Sequence, residues 1–116
     1  MAPATATVRV QTAPFDAAAE CAALTEGRTD VGALVTFTGL SRSEDGRLAA
    51  LELEHYPGMA EAEIGRVAAQ AFQRWPLLGA TVIHRCGRIA PGEPIVLVAT
   101  TSSHRQAAFE AAEFLM

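Results

Sequence analysis

The sequence predicts an α+β domain, with a mixed or largely antiparallel β-sheet and helices packed on it. Three observations predict this class. The length of 116 residues fits one domain, and we expect 1–116 to be that domain. Strand-like alternation and helix-like apolar periodicity follow in the order β-α-β-β-α-β-β-α, without a repeat or a linker. Strand pairs in the middle of the chain favour antiparallel neighbours over a wholly parallel sheet.

The first half of the chain contains three predicted strands and one helix. Thr5–Gln11 alternates valines with polar residues, which is typical of a half-buried edge strand. Asp16 can cap the alanine-rich helix that follows. Val31–Phe37 is a continuous apolar run rich in β-branched residues, which predicts a central strand. Leu48–Tyr56 alternates cleanly and predicts the third strand.

The second half contains two predicted helices and two strands. Apolar residues at helical spacing over Ile64–Trp75 predict a helix that ends at the following proline. Ala80–Cys86 and Ile95–Thr101 predict two strands joined through turn residues. Ser103 and Gln106 match the capping-box pattern at the start of a last helix.

Composition excludes several classes of function. The net charge of −4 and the pI near 5.3 give no basic field for nucleic acid or an anionic membrane. The apolar runs are far shorter than the ~20 residues of a membrane span, and we recognise no signal peptide. Two cysteines are too few for a disulfide framework. We therefore expect a cytoplasmic protein without nucleic-acid or membrane partners.

Charge is unevenly distributed along the chain. All nine basic residues are arginines, and there is no lysine. Residues 1–63 contain four arginines and ten acidic residues, whereas 64–116 contain five arginines and three acidic residues. This asymmetry favours local recognition of an anion.

The strongest local candidate for such a site is the start of the last helix. His104 and Arg105 fall in the first turn, where the helix dipole disfavours positive charge. A phosphate or carboxylate bound there would explain them. A capped helix with Arg105 solvated or paired with Glu110 or Glu113 explains them equally well, so both interpretations stay open.

Arg42 is the second candidate, because it lies in a polar loop (39–46) that follows a strand. A solvated loop arginine is the more ordinary interpretation. His55 and His84 have no metal-ligand neighbour at a familiar spacing, so we expect structural histidines and no metal site. Cys86 is expected to be a buried, inert thiol, although an acyl-transfer enzyme that uses it remains a weak alternative.

Several strings occur together, in order and with compatible spacing over most of the chain. They are V-T-F-T-G (35–39), Arg42, L-E-H-Y-P-G-M (53–59), R-W-P-L (74–77), V-I-H-R-C-G (82–87), P-G-E (91–93), T-S-S-H-R (101–105) and A-F-E-A (108–111).

With these strings the chain resembles the large subunit of molybdopterin synthase, the MoaE family. The resemblance implies an α/β-hammerhead fold and a sulfurtransferase that converts cyclic pyranopterin monophosphate into molybdopterin by installing a dithiolene. Sulfur would come from the C-terminal Gly-Gly thiocarboxylate of a small ubiquitin-like (MoaD-like) subunit. The resemblance also implies a homodimer within a heterotetramer, and neither a cofactor nor a metal for this step.

The resemblance assigns roles to particular positions. Leu40, Ser41 and Arg42 correspond to one substrate-binding segment of the family, and the pair at 104–105 corresponds to another. The two arginines would hold the phosphate, and His104 would orient the substrate or move a proton. Phe37 and Met116 resemble residues that line the family's pocket.

The chain departs from the family in one respect. The family carries its catalytic lysine in a segment that would follow Met116, and this chain contains no lysine. We therefore expect that segment to be missing here and 1–116 alone to be incompetent. The alternative is a non-catalytic homologue that binds the ubiquitin-like partner or a phosphorylated ligand.

Overall fold

A computed structural model describes residues 5–42, 51–53 and 58–116. Within them, a four-stranded mixed sheet and a two-stranded ladder combine with three helices, which confirms the predicted α+β class. In chain order the elements are β1 (Thr5–Gln11), α1 (Ala17–Thr25), β2 (Ala33–Leu40), β3 (Leu51–Leu53), α2 (Met59–Arg74), β4 (Leu77–Arg85), β5 (Gly87–Ile89), β6 (Pro94–Ser102) and α3 (Arg105–Leu115).

The large sheet has the order β1-β4-β6-β2. β1 runs parallel to β4, whereas β4 with β6 and β6 with β2 are antiparallel. β3 and β5 form the separate antiparallel ladder. The middle strands β4 and β6 are largely buried, because each has a neighbour on both sides and helices over it.

The core lies between the sheet and the helices α2 and α3. Val82 and Val98 of the sheet form one cluster with Ala112 of α3. Leu77 forms a second cluster with Ala71 of α2 and Ala111 of α3. Because alanine has a small side chain, these buried alanines let α2 and α3 approach the sheet and each other closely.

Several predicted elements are confirmed. Thr5–Gln11 is an edge strand with the predicted bounds. The carboxylate of Asp16 accepts a hydrogen bond from the Ala19 amide at 3.2 Å and so caps α1. Helix α2 ends at Arg74, just before Pro76.

The predicted central position of Val31–Phe37 is wrong. The strand there, β2, lies at the edge of the sheet and pairs only with β6 among the described strands. Its large apolar side chains are partly exposed: Leu34 and Phe37 at 39% and Leu40 at 57%. A continuous apolar run indicates two faces that exclude water, and here part of that apolar surface is not covered by the sheet or its helices.

Two further expectations need correction. The short strand β5 was not predicted, because three residues carry no readable periodicity. The capping box is also wrong. His104 is the N-cap of α3 without a side-chain cap bond, since the Ser103 hydroxyl donates to the Asp30 carbonyl at 3.2 Å instead.

Some sequence predictions fall partly or wholly outside the described residues. Of the strand expected at Leu48–Tyr56, Leu51–Leu53 is described and is a strand. His55 and the part of the 39–46 loop beyond Arg42 lie outside the described residues.

Candidate functional site

The two candidate anion-binding segments lie at opposite ends of β2. Ala33, at the start of β2, pairs with Ser102, just before the segment with His104 and Arg105. Leu40, at the other end, pairs with Pro94 and is followed at once by Ser41 and Arg42. Seven antiparallel steps at ~3.4 Å each separate the two ends by about 24 Å. Within one chain, therefore, the structure does not bring the two arginines to one phosphate.

At the first end, two backbone hydrogen bonds hold Ser41. Its amide donates to the Glu93 carbonyl at 2.8 Å, and its carbonyl accepts from the Gly92 amide at 2.6 Å. Ser41 is 2% exposed, and its buried hydroxyl has no hydrogen-bond partner among the described residues. The next residue, Arg42, is exposed. The chain thus presents an arginine to solvent directly beside a fixed, buried residue.

At the second end, the turn that precedes β2 holds the segment before α3. The Gly32 amide donates to the Ser102 carbonyl at 3.0 Å. A Cβ built on Gly32 would lie 2.0 Å from the Ser103 carbonyl oxygen, so only glycine fits here. Arg28 forms a two-pronged ion pair with Asp30 at 3.0 and 2.8 Å, and the hydrogen bond from this guanidinium lowers the pKa of the Asp30 carboxyl.

His104 and Arg105 are exposed, and the first turn of α3 contains no acidic residue. Neither side chain has a hydrogen bond or an ion pair with the residues that the structure describes. Glu110, a proposed partner of Arg105, instead accepts bonds from Trp75 Nε1 at 2.8 Å and Gln106 Nε2 at 3.0 Å, which lower its pKa. Among the described side chains, the alternative of a paired Arg105 therefore has no support.

A cavity of about 310 Å³ lies between α2 and the end of α3, over the face of the large sheet. Phe37 and Met116, the two expected pocket residues, both line it. Its walls are mainly apolar, and its polar groups are His84 and Glu63. The full lining is Phe37, Glu63, Ile64, Val67, Val82, His84, Val96, Val98, Leu115 and Met116.

His84 is the cavity residue whose position the sequence did not predict. Its Nδ1 lies 2.8 Å from the Arg85 carbonyl oxygen, as expected of a structural histidine, but its ring also lines the cavity. The signal was available in the alternation of β4. Val82 and His84 share one face of the strand, and Val82 pairs with Val98, which in turn pairs with Phe37.

The two cysteines add no functional group to the candidate site. Cys86 is buried, as expected of an inert thiol, and burial together with Glu20 raises the pKa of Cys21. Among the described residues, no group of histidine, cysteine and carboxylate side chains could hold a metal ion. No helix in that same part of the chain has the length and apolar character to cross a membrane.

Comparisons with known proteins match the sequence and the fold of this chain. The family model described as "MoaE protein" matches residues 10–116. A molybdopterin synthase catalytic subunit from Mesorhizobium japonicum is 72% identical over 110 residues, which are 95% of this chain and 69% of that protein. One from Rhizobium meliloti is 63% identical and is covered to 71%. The solved MoaE protein from Burkholderia ambifaria superposes with a TM-score of 0.88 at 47% identity, covering 97% of this chain and 74% of that one.

The mixed sheet and the helices packed on it define an α+β domain of the type seen in the superposed MoaE protein. The chain belongs to the MoaE family.

Proposed function

We propose that this chain acts as the catalytic, large subunit of a molybdopterin synthase. It converts cyclic pyranopterin monophosphate into molybdopterin by dithiolene sulfur insertion. The observation that carries the proposal is the 72% identity, over nearly the whole chain, to a protein named as such a catalytic subunit. The two exposed arginines suit a phosphorylated substrate, and the apolar cavity suits a second reactant.

A small ubiquitin-like subunit supplies the sulfur in this proposal, through a thiocarboxylate on its C-terminal Gly-Gly. The cavity beside Phe37 and Met116 supports this partner, since it lies between α2 and the end of α3 and can receive an extended tail. Two glycines carry no side chains, so a Gly-Gly tail takes up little of its volume of about 310 Å³. The location of the reaction is proposed to be the cytoplasm.

The phosphate site is proposed to be shared between two copies of the chain in a homodimer. Because Arg42 and Arg105 lie at opposite ends of β2, which is about 24 Å long, both can reach one phosphate only if they come from different copies. The outer edge of β2 has no partner strand among the described residues, and Leu34 and Phe37 are partly exposed there. A two-fold axis across this edge makes two copies antiparallel and brings Arg42 of one copy towards Arg105 of the other.

In this shared site the arginines hold the phosphate by charge-assisted hydrogen bonds and offset the charge that develops when the cyclic ester opens. Leu40 and Ser41 shape the same segment, and His104 orients the substrate or moves a proton. No residue of this chain is proposed as the catalytic lysine. In our proposal, that group belongs to the segment that follows Met116 in the family.

Mixing two inactive variants tests both the reaction and the shared site. In protein expressed from the complete reading frame, Arg42→Ala and Arg105→Ala are each expected to lose most dithiolene formation with the thiocarboxylated small subunit and cyclic pyranopterin monophosphate. In a heterodimer of the two variants, one site keeps both arginines. Random mixing therefore restores about a quarter of the wild-type activity. If Arg105→Ala keeps its turnover and substrate affinity, the phosphate role is wrong; if mixing restores nothing, the shared site is wrong.

The second candidate is a non-catalytic homologue that binds the small subunit or a phosphorylated ligand. The observation that favours it is the lack of lysine in these 116 residues. The protein expressed from its complete reading frame separates the two candidates. Dithiolene formation supports the enzyme, whereas tight binding of the small subunit without turnover supports the binding protein.

A further inference from the structure

Arg85 is a buried cation at the end of β4, and the proposed reaction does not use it. The residue is 4% exposed. Its guanidinium donates to the Thr12 carbonyl from Nε at 3.3 Å and from one terminal nitrogen at 3.1 Å. The other terminal nitrogen donates to the Glu93 carboxylate at 2.9 Å and to the Pro94 carbonyl at 3.2 Å. One side chain thus joins the end of β1 to the start of β6.

Stability alone does not account for a cation in this position. Removing a guanidinium from water is expensive, and well-packed apolar residues hold a fold as well as a buried ion pair does. What a guanidinium supplies in addition is direction, because its donors form a rigid planar fork. What Arg85 supplies beyond stability is therefore a fixed geometry of the segments that it joins.

One of those segments carries the proposed phosphate ligand. The Glu93 side chain accepts from Arg85, and the Glu93 backbone carbonyl accepts from the Ser41 amide. The neighbouring Gly92 amide donates to the Ser41 carbonyl. Arg85 therefore fixes the turn that fixes Ser41, and Ser41 directly precedes Arg42.

The other segment lies at the cavity. The Arg85 carbonyl oxygen is 2.8 Å from Nδ1 of His84, whose ring lines the cavity with Phe37 and Met116. This hydrogen bond sets the orientation of the ring. The side chain of Arg85 is thus linked through Glu93 to the Ser41–Arg42 segment, and its backbone carbonyl is linked to the His84 ring at the cavity.

We propose that Arg85, acting through Glu93, is a positioning residue that fixes the Ser41–Arg42 segment relative to the cavity beside His84. This inference rests on the proposed function. A phosphate ester bound at Arg42 and a sulfur donor in the cavity must meet at a fixed separation. Because Arg42 is proposed to hold the phosphate by a charge-assisted hydrogen bond, displacing it also weakens substrate binding, which raises KM. Arg85 contacts neither reactant.

The test uses the protein expressed from its complete reading frame, in complex with its small subunit, and compares Glu93→Ala with Glu93→Gln. The alanine variant removes the acceptor for Arg85, whereas the glutamine amide oxygen retains it. We expect Glu93→Ala to raise KM for cyclic pyranopterin monophosphate about tenfold or more with a smaller change in kcat, and Glu93→Gln to restore KM to near the wild-type value. Glu20→Ala, which breaks the Arg9–Glu20 ion pair away from the site, is the matched control and leaves KM unchanged.

Amide hydrogen exchange distinguishes positioning from general loss of stability. In Glu93→Ala, exchange of the Ser41 and Gly92 amides should speed up, while the amides of central β6 stay protected. Unchanged KM, or equal acceleration across the sheet, overturns the proposal for Arg85. An inactive wild-type complex overturns the proposed function instead. The two failures are therefore distinguishable.

Discussion

The two ends of β2 each present an exposed arginine, but they hold it by different means. We call them the Arg42 end (Ser41–Arg42 with the turn at 90–94) and the Arg105 end (Asp30–Gly32 with Ser102–Arg105). At the Arg42 end, a side-chain hydrogen bond from buried Arg85 to half-exposed Glu93 fixes the turn that binds Ser41. At the Arg105 end, backbone is packed directly against backbone, because glycine leaves no Cβ between them. The first arrangement depends on a directed hydrogen bond and the second on space, so they should fail under different changes.

The largest effect is expected at the Arg105 end from Gly32→Ala. The new Cβ would lie 2.0 Å from the Ser103 carbonyl oxygen, so the turn and the start of α3 must move apart. We expect a loss of about 3 kcal/mol in the free energy of unfolding, measured by urea denaturation. Gly65→Ala is the matched control. The new Cβ meets nothing within 4 Å. Because Gly65 lies in the middle of α2, its replacement by alanine should raise the free energy of unfolding by about 0.5–1 kcal/mol. Equal stability of Gly32→Ala and wild type would contradict the packing argument.

At the Arg42 end, Glu93→Ala should cost less. Arg85 keeps its bonds to the Thr12 and Pro94 carbonyls, and water can reach the position of the removed carboxylate, which is 45% exposed. We expect a loss of about 2 kcal/mol in the free energy of unfolding, which is typical of a hydrogen bond to a charged group, again measured by urea denaturation. Glu93→Gln should recover most of this loss. If glutamine costs as much as alanine, net charge rather than directed hydrogen bonding holds this end.

The contrast also shows what the sequence could predict. Local signals were sufficient for β1, for the Asp16 cap and for the stop of α2 before Pro76, since each depends on neighbours in the chain. The two arginines were also recognisable as candidates, Arg105 because its charge opposes the helix dipole and Arg42 because it lies in a polar loop after a strand. Their separation was not predictable, since it depends on the pairing of β2 with β6.

Long-range contacts explain the errors. The Ser103 hydroxyl binds a carbonyl 73 positions away rather than its own helix, so the capping-box pattern misled. The apolar run in β2 indicated burial, but a sequence does not state which surface will cover a strand. The role of Arg85 was likewise not predictable from the sequence. Its partner Thr12 is 73 positions away, and its partner Glu93 lies in a turn whose position the sequence does not fix.

The smallest effect is expected from acid at the Arg105 end. The hydrogen bond from Arg28 lowers the pKa of Asp30, so the ionised carboxylate stabilises the native state. A lowered carboxyl pKa contributes stability that is present above the unfolded value of about 3.9 and is lost as pH falls through the folded pKa. The stability difference between wild type and Asp30→Asn should therefore be constant near pH 6 and shrink below about pH 4.

Hydrogen exchange assigns this acid effect to one end of β2. The Gly32 amide should lose protection in Asp30→Asn at pH 6, and the Ser41 amide should not, because the ion pair with Arg28 holds only the turn before β2. Glu63→Gln is the control. Arg66 lowers the pKa of Glu63 in the same way, but that pair lies on the surface of α2 and should leave Gly32 protected. A stability difference that stays unchanged down to pH 3 would show that Asp30 acts through shape alone, and the Arg105 end would then depend on space without any contribution from charge.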